Sequence, residues 1–179
     1  MIEAKKDVQL STRDGGPLQA PIVGATVHPG LSVPYERGVL TEMLRPEWDA
    51  SGQPIHHIHQ VRMFGGVVSA WHMHRETTDR LFVNLGYMKV VLYDDRERSR
   101  TRGQLNELFA GDARPCLIVI PAGVWHGVQN LGTTDGLYLN FASHPYDYEN
   151  PDHYRLPHDT PEIPYRWEAA DPTTLRLRS

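Results

Sequence analysis

At 179 residues the chain suits one domain around one hydrophobic core, and two full domains would be cramped. With 18 Lys and Arg against 22 Asp and Glu it is nearly balanced in charge, which argues against a general nucleic-acid binder with its basic surface. No apolar stretch approaches the roughly 20 residues that span a bilayer, and the opening residues lack a signal peptide's apolar segment, so a cytoplasmic protein with no membrane partner is expected.

Fifteen glycines and fourteen prolines favour short strands joined by tight turns over a helical bundle. Residues 1–32 read as an N-terminal arm with an edge strand. Residues 33–143 read as a barrel, because β-rich runs at 67–71, 81–85, 88–93, 117–120, 124–128 and 137–141 alternate with turn residues such as Gly65-Gly66, Gly86, Asp94-Asp95 and Pro121-Ala122-Gly123. The lone Cys116 begins one apolar run and reads as a buried thiol, compatible with a reducing compartment. Residues 144–179 carry Pro145, Pro151, Pro157, Pro161 and Pro164 and are expected to wrap the barrel without adding strands. The whole is expected to be one all-β domain, barrel or sandwich.

Chemistry concentrates in histidines. Gly66 is followed by five residues, then His72-Met73-His74, four more, Asp79, six more, and Gly86. Two histidines two apart on a strand point to one face. Downstream, the Pro121-Ala122-Gly123 turn starts a strand that delivers His126, with Asn130 four residues on. Three imidazoles and a carboxylate (His72, His74, Asp79 and His126) suit a divalent metal such as Zn, Fe, Mn or Ni. A metal-free histidine cluster, hydrogen-bonded or acting as a base, fits the same residues.

These spacings resemble the two motifs of the cupin superfamily, G-x5-H-x-H-x3–4-E-x6-G and P-x-G-x2-H-x3-N, with Asp79 in place of the Glu. The resemblance implies a jelly-roll β-barrel with His72, His74 and His126 at its mouth. The flanks resemble the dTDP-4-dehydrorhamnose 3,5-epimerases in particular, over about residues 33–167. Glu36 to Glu42 is similar to D-x-R-G-x-x-x-E, Gly66 to His72 to G-V-L-R-G-L-H, Asp94 to Gly103 to D-x-R-x-x-S-x-T-x-G, and Pro121 to Gly127 to P-x-G-x-x-H-G. Tyr138 and Tyr146 fall where that family has its tyrosine pair, and Asp159 where a W-x-D turn precedes a terminal I-x-W segment.

The resemblance implies an isomerase that inverts carbons beside a 4-keto group of a deoxyhexose carried on dTDP, without a cofactor and as a homodimer with exchanged N-terminal strands. It implies His72 as base, Asp159 as its orienting partner, and Tyr138 or Tyr146 as acid. Arg37 would meet the diphosphate, and Glu42 with Gln60 the nucleotide end. Three positions depart from the pattern. Ser69 replaces an Arg, His74 a Gln, and Asp79 a Lys that steadies the enolate oxygen; Arg80 could replace that Lys only by pointing inward. His74 and Asp79 also complete the metal motif, which implies a divergent member with a metal in the enolate-stabilising role.

Two further functions therefore stand beside the epimerase: a metal-dependent cupin oxygenase or sugar isomerase, and a non-catalytic binder of a small molecule. The remaining features read as structural. His56, His57 and His59 suit exposed strand or loop positions, Trp71 and Trp125 packing away from the pocket, Tyr148, Tyr154 and Tyr165 anchors for the C-terminal segment, and Arg96, Arg98, Arg100 and Arg102 a solvated loop.

Overall fold

A computed structural model describes residues 19–168 together with residues 6, 9, 12 and 13. The other residues before 19 in the N-terminal arm, and residues 169–179 of the wrapping segment, lie outside the described residues. Two five-stranded antiparallel sheets face each other in a cupin jelly roll. The first has the order β1 (Thr26–Pro29), β9 (Cys116–Ile120), β6 (Asp79–Leu85), β11 (Gly136–Ala142), β4 (His57–Met63). The second runs β12 (Tyr154–Arg155), β5 (Val68–Met73), β10 (Val124–Asn130), β7 (Tyr87–Asp94), β8 (Leu105–Gly111). The strands β2 (Leu31–Tyr35) and β3 (Gly38–Glu42) form a separate hairpin. Among the described residues no helix is long and apolar enough to cross a membrane.

Alternation along the strands divides core from site. On β6, Leu81 and Val83 join the inner core with Ile118 and Ile120 of neighbouring β9 and with Val90, Leu92, Val124 and Val128 from the facing sheet. Phe82 on the opposite face packs with Leu117, Val119, Leu44 and Trp48. The outer face of the second sheet is covered by the C-terminal segment, where fully buried Trp71 meets Ile163, Tyr165 and Trp167. The edge strand expected near the N-terminus is β1. The C-terminal segment, by contrast, does add a strand: Tyr154 and Arg155 pair with Met73 and His72. Two residues are too few to leave an alternating pattern in the sequence.

One irregularity aims the site. His126 pairs with His72 but Val128 pairs with Ser69, so β5 carries one extra residue opposite Gly127. That bulge turns Ser69 and His72, three apart, toward the same cavity. Gly127 is required here because a Cβ would fall 2.4 Å from that of Ala70 and 2.6 Å from the Trp167 ring.

The D-x-R-x-x-S-x-T-x-G stretch is a clasp below the barrel. The fully buried Asp94 carboxylate accepts from Arg96, Ser99 (2.5 Å) and Thr101 (2.6 Å), and the Gly103 N–H donates to the Asp94 carbonyl at 2.7 Å. Arg96 also donates to the Val23 carbonyl, while the Val23 N–H donates to Thr101, so the clasp holds the segment entering β1. Burial favours the neutral acid, but these donors outweigh it and hold the Asp94 carboxyl well below the usual carboxylate range. The stabilisation is complete above the unfolded pKa of about 3.9 and is lost as pH falls below it. Asp94→Asn should cost about 2–4 kcal/mol at pH 7, and its stability should fall less steeply than the wild type's between about pH 5 and 2, both read by urea unfolding.

Candidate active site

Between the sheets an open cavity of about 990 Å³ collects Ser69, Asp79, Tyr138 and seven histidines, namely His57, His59, His72, His74, His126, His144 and His153. Its floor is built around Asp79, the first residue of β6, buried where the strand enters the core. One Asp79 oxygen accepts from Asn140 at 2.8 Å. The other lies 3.2 Å from His74 Nε2 and 3.4 Å from His126 Nε2. The opposite nitrogen of each ring faces a backbone carbonyl, that of Asp152 for His74 and that of Val124 at 3.2 Å for His126.

A carbonyl can only accept, so each Nδ1 carries a proton, and each Nε2 meets a carboxylate that also only accepts. A positive charge is therefore required between Asp79 and these rings. Burial opposes ionisation of Asp79, but the hydrogen bonds from His126 and His74 hold its carboxyl far below the usual range. Burial likewise opposes charge on His74, and the hydrogen bond and charge of Asp79 outweigh it and push the imidazole above its ordinary value.

His72 differs from its neighbours. Its Nε2 lies 3.2 Å from Ser69 Oγ, and its Nδ1 2.8 Å from His153 Nε2. Burial first, then the charges of His126, His153, Arg155 and His74, push His72 down to about 3, and burial pushes His153 down to about 4. Both rings are neutral at neutral pH. Tyr138 enters from β11 on the facing sheet; burial and the negative Asp79 push its hydroxyl up to about 12, so it keeps its proton.

Asp152 fastens this arrangement. Its carboxylate accepts from the backbone N–H groups of Arg75, Glu76 and Thr77 at 2.8, 2.9 and 3.0 Å and from the Thr77 hydroxyl at 3.1 Å. The C-terminal segment is thereby tied to the turn after β5, with His153 against His72.

The cavity thus holds His72, Tyr138 and the half-exposed Tyr146, and it brings His74, Asp79 and His126 together; the donor atoms of these three lie within 4.8 Å of one another. His72 is outside that group of three. Asp159 is exposed and away from the cavity, and the ring it was expected to orient is held by His153. Arg80 points outward, fully buried against Asp49 at 2.5 Å, Ser51 and two carbonyls, because its neighbour Asp79 occupies the inward position. Gln60 alternates with His59 and Val61 and so faces out. Glu42 is held by Arg45, and Arg37 lies on the hairpin, most of its side chain exposed. His57 and His59 line the open cavity because their strand parity turns them inward, with His59 exposed as expected and His57 partly buried. His153 was not singled out; its contact spans 81 positions, which no local pattern signals.

A scan against protein-family models finds no match. The chain is 38% identical over 135 residues to the probable low-salt glycan biosynthesis epimerase Agl13 of Haloferax volcanii, covering 75% of this chain and 86% of that protein. It is 33% identical over 135 residues to the spore coat polysaccharide biosynthesis protein SpsL of Bacillus subtilis, covering 74% and 87%. A dTDP sugar isomerase from Desulfovibrio desulfuricans superposes with a TM-score of 0.75 at 30% identity, over 87% of this chain and 95% of that one. The chain belongs to the dTDP-sugar epimerase family of cupins. Ser69, His74 and Asp79, the three positions read from the sequence as departures from the resemblance, all line its cavity.

Asp152→Ala should remove the clasp. Hydrogen-exchange protection at the Arg75, Glu76 and Thr77 amides is expected to fall at least tenfold, with a loss of about 1–3 kcal/mol in stability. Unchanged exchange at all three amides would refute this account of the segment.

Proposed function

We propose that the protein is a nucleotide-sugar epimerase, acting on a 4-keto-6-deoxyhexose carried on a nucleoside diphosphate such as dTDP and inverting carbon beside the ketone. The observation that carries this reading is that a neutral imidazole and a protonated phenol face one cavity from opposite sheets. Inversion requires a base on one face of the carbon and an acid on the other. Ser69 can donate to His72 Nε2 only if His72 carries its proton on Nδ1, where it donates to His153; Nε2 is then the basic atom.

In the reaction His72 Nε2 takes the proton from carbon and the C–H electrons move into the enolate. Tyr138 returns a proton to the opposite face, with Tyr146 at the rim as the second candidate acid. Water then restores the proton to the tyrosinate and removes the one on His72. The charge on His74 beside Asp79 takes the place of the family's lysine near the enolate oxygen. The exposed apolar hairpin, with Leu31, Val33, Val39 and Leu40 each about half exposed, fits the homodimer that the family resemblance implies; Arg37 and Glu42 would then serve a second protomer.

Incubation with dTDP-4-keto-6-deoxyglucose in deuterated water should place deuterium on a carbon flanking the ketone, and His72→Ala should slow that exchange by about 10²–10⁴. No label at either carbon with the wild type would end the proposal for this substrate.

A second reading is favoured by the tautomers beside Asp79. Two imidazoles whose Nδ1–H groups donate to carbonyls turn both Nε2 lone pairs on one carboxylate, which is how outer partners orient metal-ligating histidines. The ligands of a tetrahedral ion at about 2.0–2.1 Å stand about 3.3 Å apart, which matches the separations of 3.2 and 3.4 Å here. His74, Asp79 and His126 would hold a divalent metal, which would supply a Lewis acid for the ketone. Elemental analysis decides the matter: about one equivalent is expected, absent from Asp79→Asn, and less than about a tenth of an equivalent after reconstitution rules the metal out.

A further inference from the structure

Neither arginine expected at the substrate lies in the cavity, and Ser69 stands where the family has a third. The cationic contact for a diphosphate must come from elsewhere. Among the described residues that line the cavity, the only side chains charged positive at every working pH are Arg75 and Arg155. Neither has an ion-pair partner among the described residues. Arg37, Arg45, Arg62, Arg80, Arg96 and Arg102, in contrast, are all within 4.0 Å of a carboxylate.

Both arginines belong to the structure that Asp152 organises, Arg75 in the turn it binds and Arg155 on the short strand that follows it. Arg75 begins the turn whose N–H groups bind Asp152, and it lies 4.4 Å from the Tyr154 ring, a contact that holds the guanidinium by its face and leaves its N–H fork free. Arg155 pairs in register with His72 across β12 and β5, and directly opposed residues of an antiparallel pair share a face. Its charge reaches both His72 and His153. Of the acidic residues on the lining, Asp79 faces imidazoles, while Glu76 and the carboxylates of Asp147 and Asp152, which accept from backbone N–H groups, are the negative groups that the two arginines must outweigh.

We propose that Arg75 and Arg155 form the diphosphate-binding site of this chain, compensating for the arginine lost at Ser69 and placing the sugar carbons against His72. The inference rests on the nucleotide-sugar reading and assigns its anion contact. Arginine's planar fork suits phosphate oxygens, and both side chains line the same cavity.

Calorimetric titration of the full chain with dTDP, UDP and pyrophosphate tests it. Arg75→Met and Arg155→Met should each weaken dTDP and pyrophosphate binding about tenfold, and the double variant about a hundredfold, while Arg155→Lys recovers part of the loss. Arg62→Met, which touches only Asp135, should bind as the wild type does. Wild-type affinity for dTDP should also fall several-fold between about 50 and 200 mM salt, a readout that needs no variant. Wild-type binding of dTDP or UDP that survives within twofold in the double variant, or that is indifferent to salt, overturns the site while leaving the nucleotide-sugar reading intact. A wild type that binds no nucleoside diphosphate overturns both.

Discussion

The carboxylate of Asp152, which takes three successive backbone N–H groups, is the constraint on which the rest of the cavity depends. Charge-assisted bonds to an ionised acceptor are stronger than neutral ones, and these donors hold the Asp152 carboxyl below its ordinary range against the opposing effect of burial. The segment they fix is poor at fixing itself. Five prolines between residues 145 and 164 each lack an N–H, so no long strand can form there. With Asp152 docked, its own carbonyl meets His74, the next residue meets His72, and the following two extend the sheet. One acidic side chain therefore sets the state of two catalytic-cavity histidines and the position of Arg155.

Asp79 raises the opposite question, because an acid at the family's lysine position would repel an enolate if it stood alone. It does not stand alone. Two imidazoles whose remaining nitrogens are committed to carbonyls oblige a positive charge to sit beside it. A buried carboxylate without such partners would cost several kcal/mol, so the three residues form a unit that changes together or not at all. Whether protons or a metal supply the charge, its location is the same, at the floor of the cavity below Tyr138. In the proposed reading the cation beside Asp79 offsets the carboxylate's own negative charge, which still reaches Tyr138.

What the sequence made legible follows from periodicity. His72 and His74, two apart on a strand, and His126 after a Pro-Gly turn had to share a face once the strands were recognised, and Asp79 followed from spacing. The same parity applied to the strand from His57 would have turned Gln60 outward and His59 inward, but that strand carries polar residues and gave no apolar pattern by which to find it. The stretch from Asp94 to Gly103 could be matched as a motif, yet its role as a clasp emerges only when Ser99 and Thr101 are seen to fold back on Asp94. His153 and Arg155 were beyond reach, since their partners lie about 80 positions away and their two-residue strand exists only because Asp152 is anchored.

Replacing a carboxylate partner by a histidine changes what His72 can do in the proposed reaction. A carboxylate would stabilise the imidazolium formed when the proton is taken; neutral His153 does so far less, and the positive Arg155 opposes it. Such a base is weak in the free protein. Burial and the neighbouring imidazoles weaken it more than Arg155 does, so a diphosphate bound at Arg155 would offset only the smaller part of the effect. Proton transfer is most effective when the base's pKa lies near the operating pH, so the gain would appear where it accelerates the reaction. In a carboxylate dyad the partner itself stabilises the imidazolium, whereas here burial sets the base's strength first and the anion beside it would adjust it.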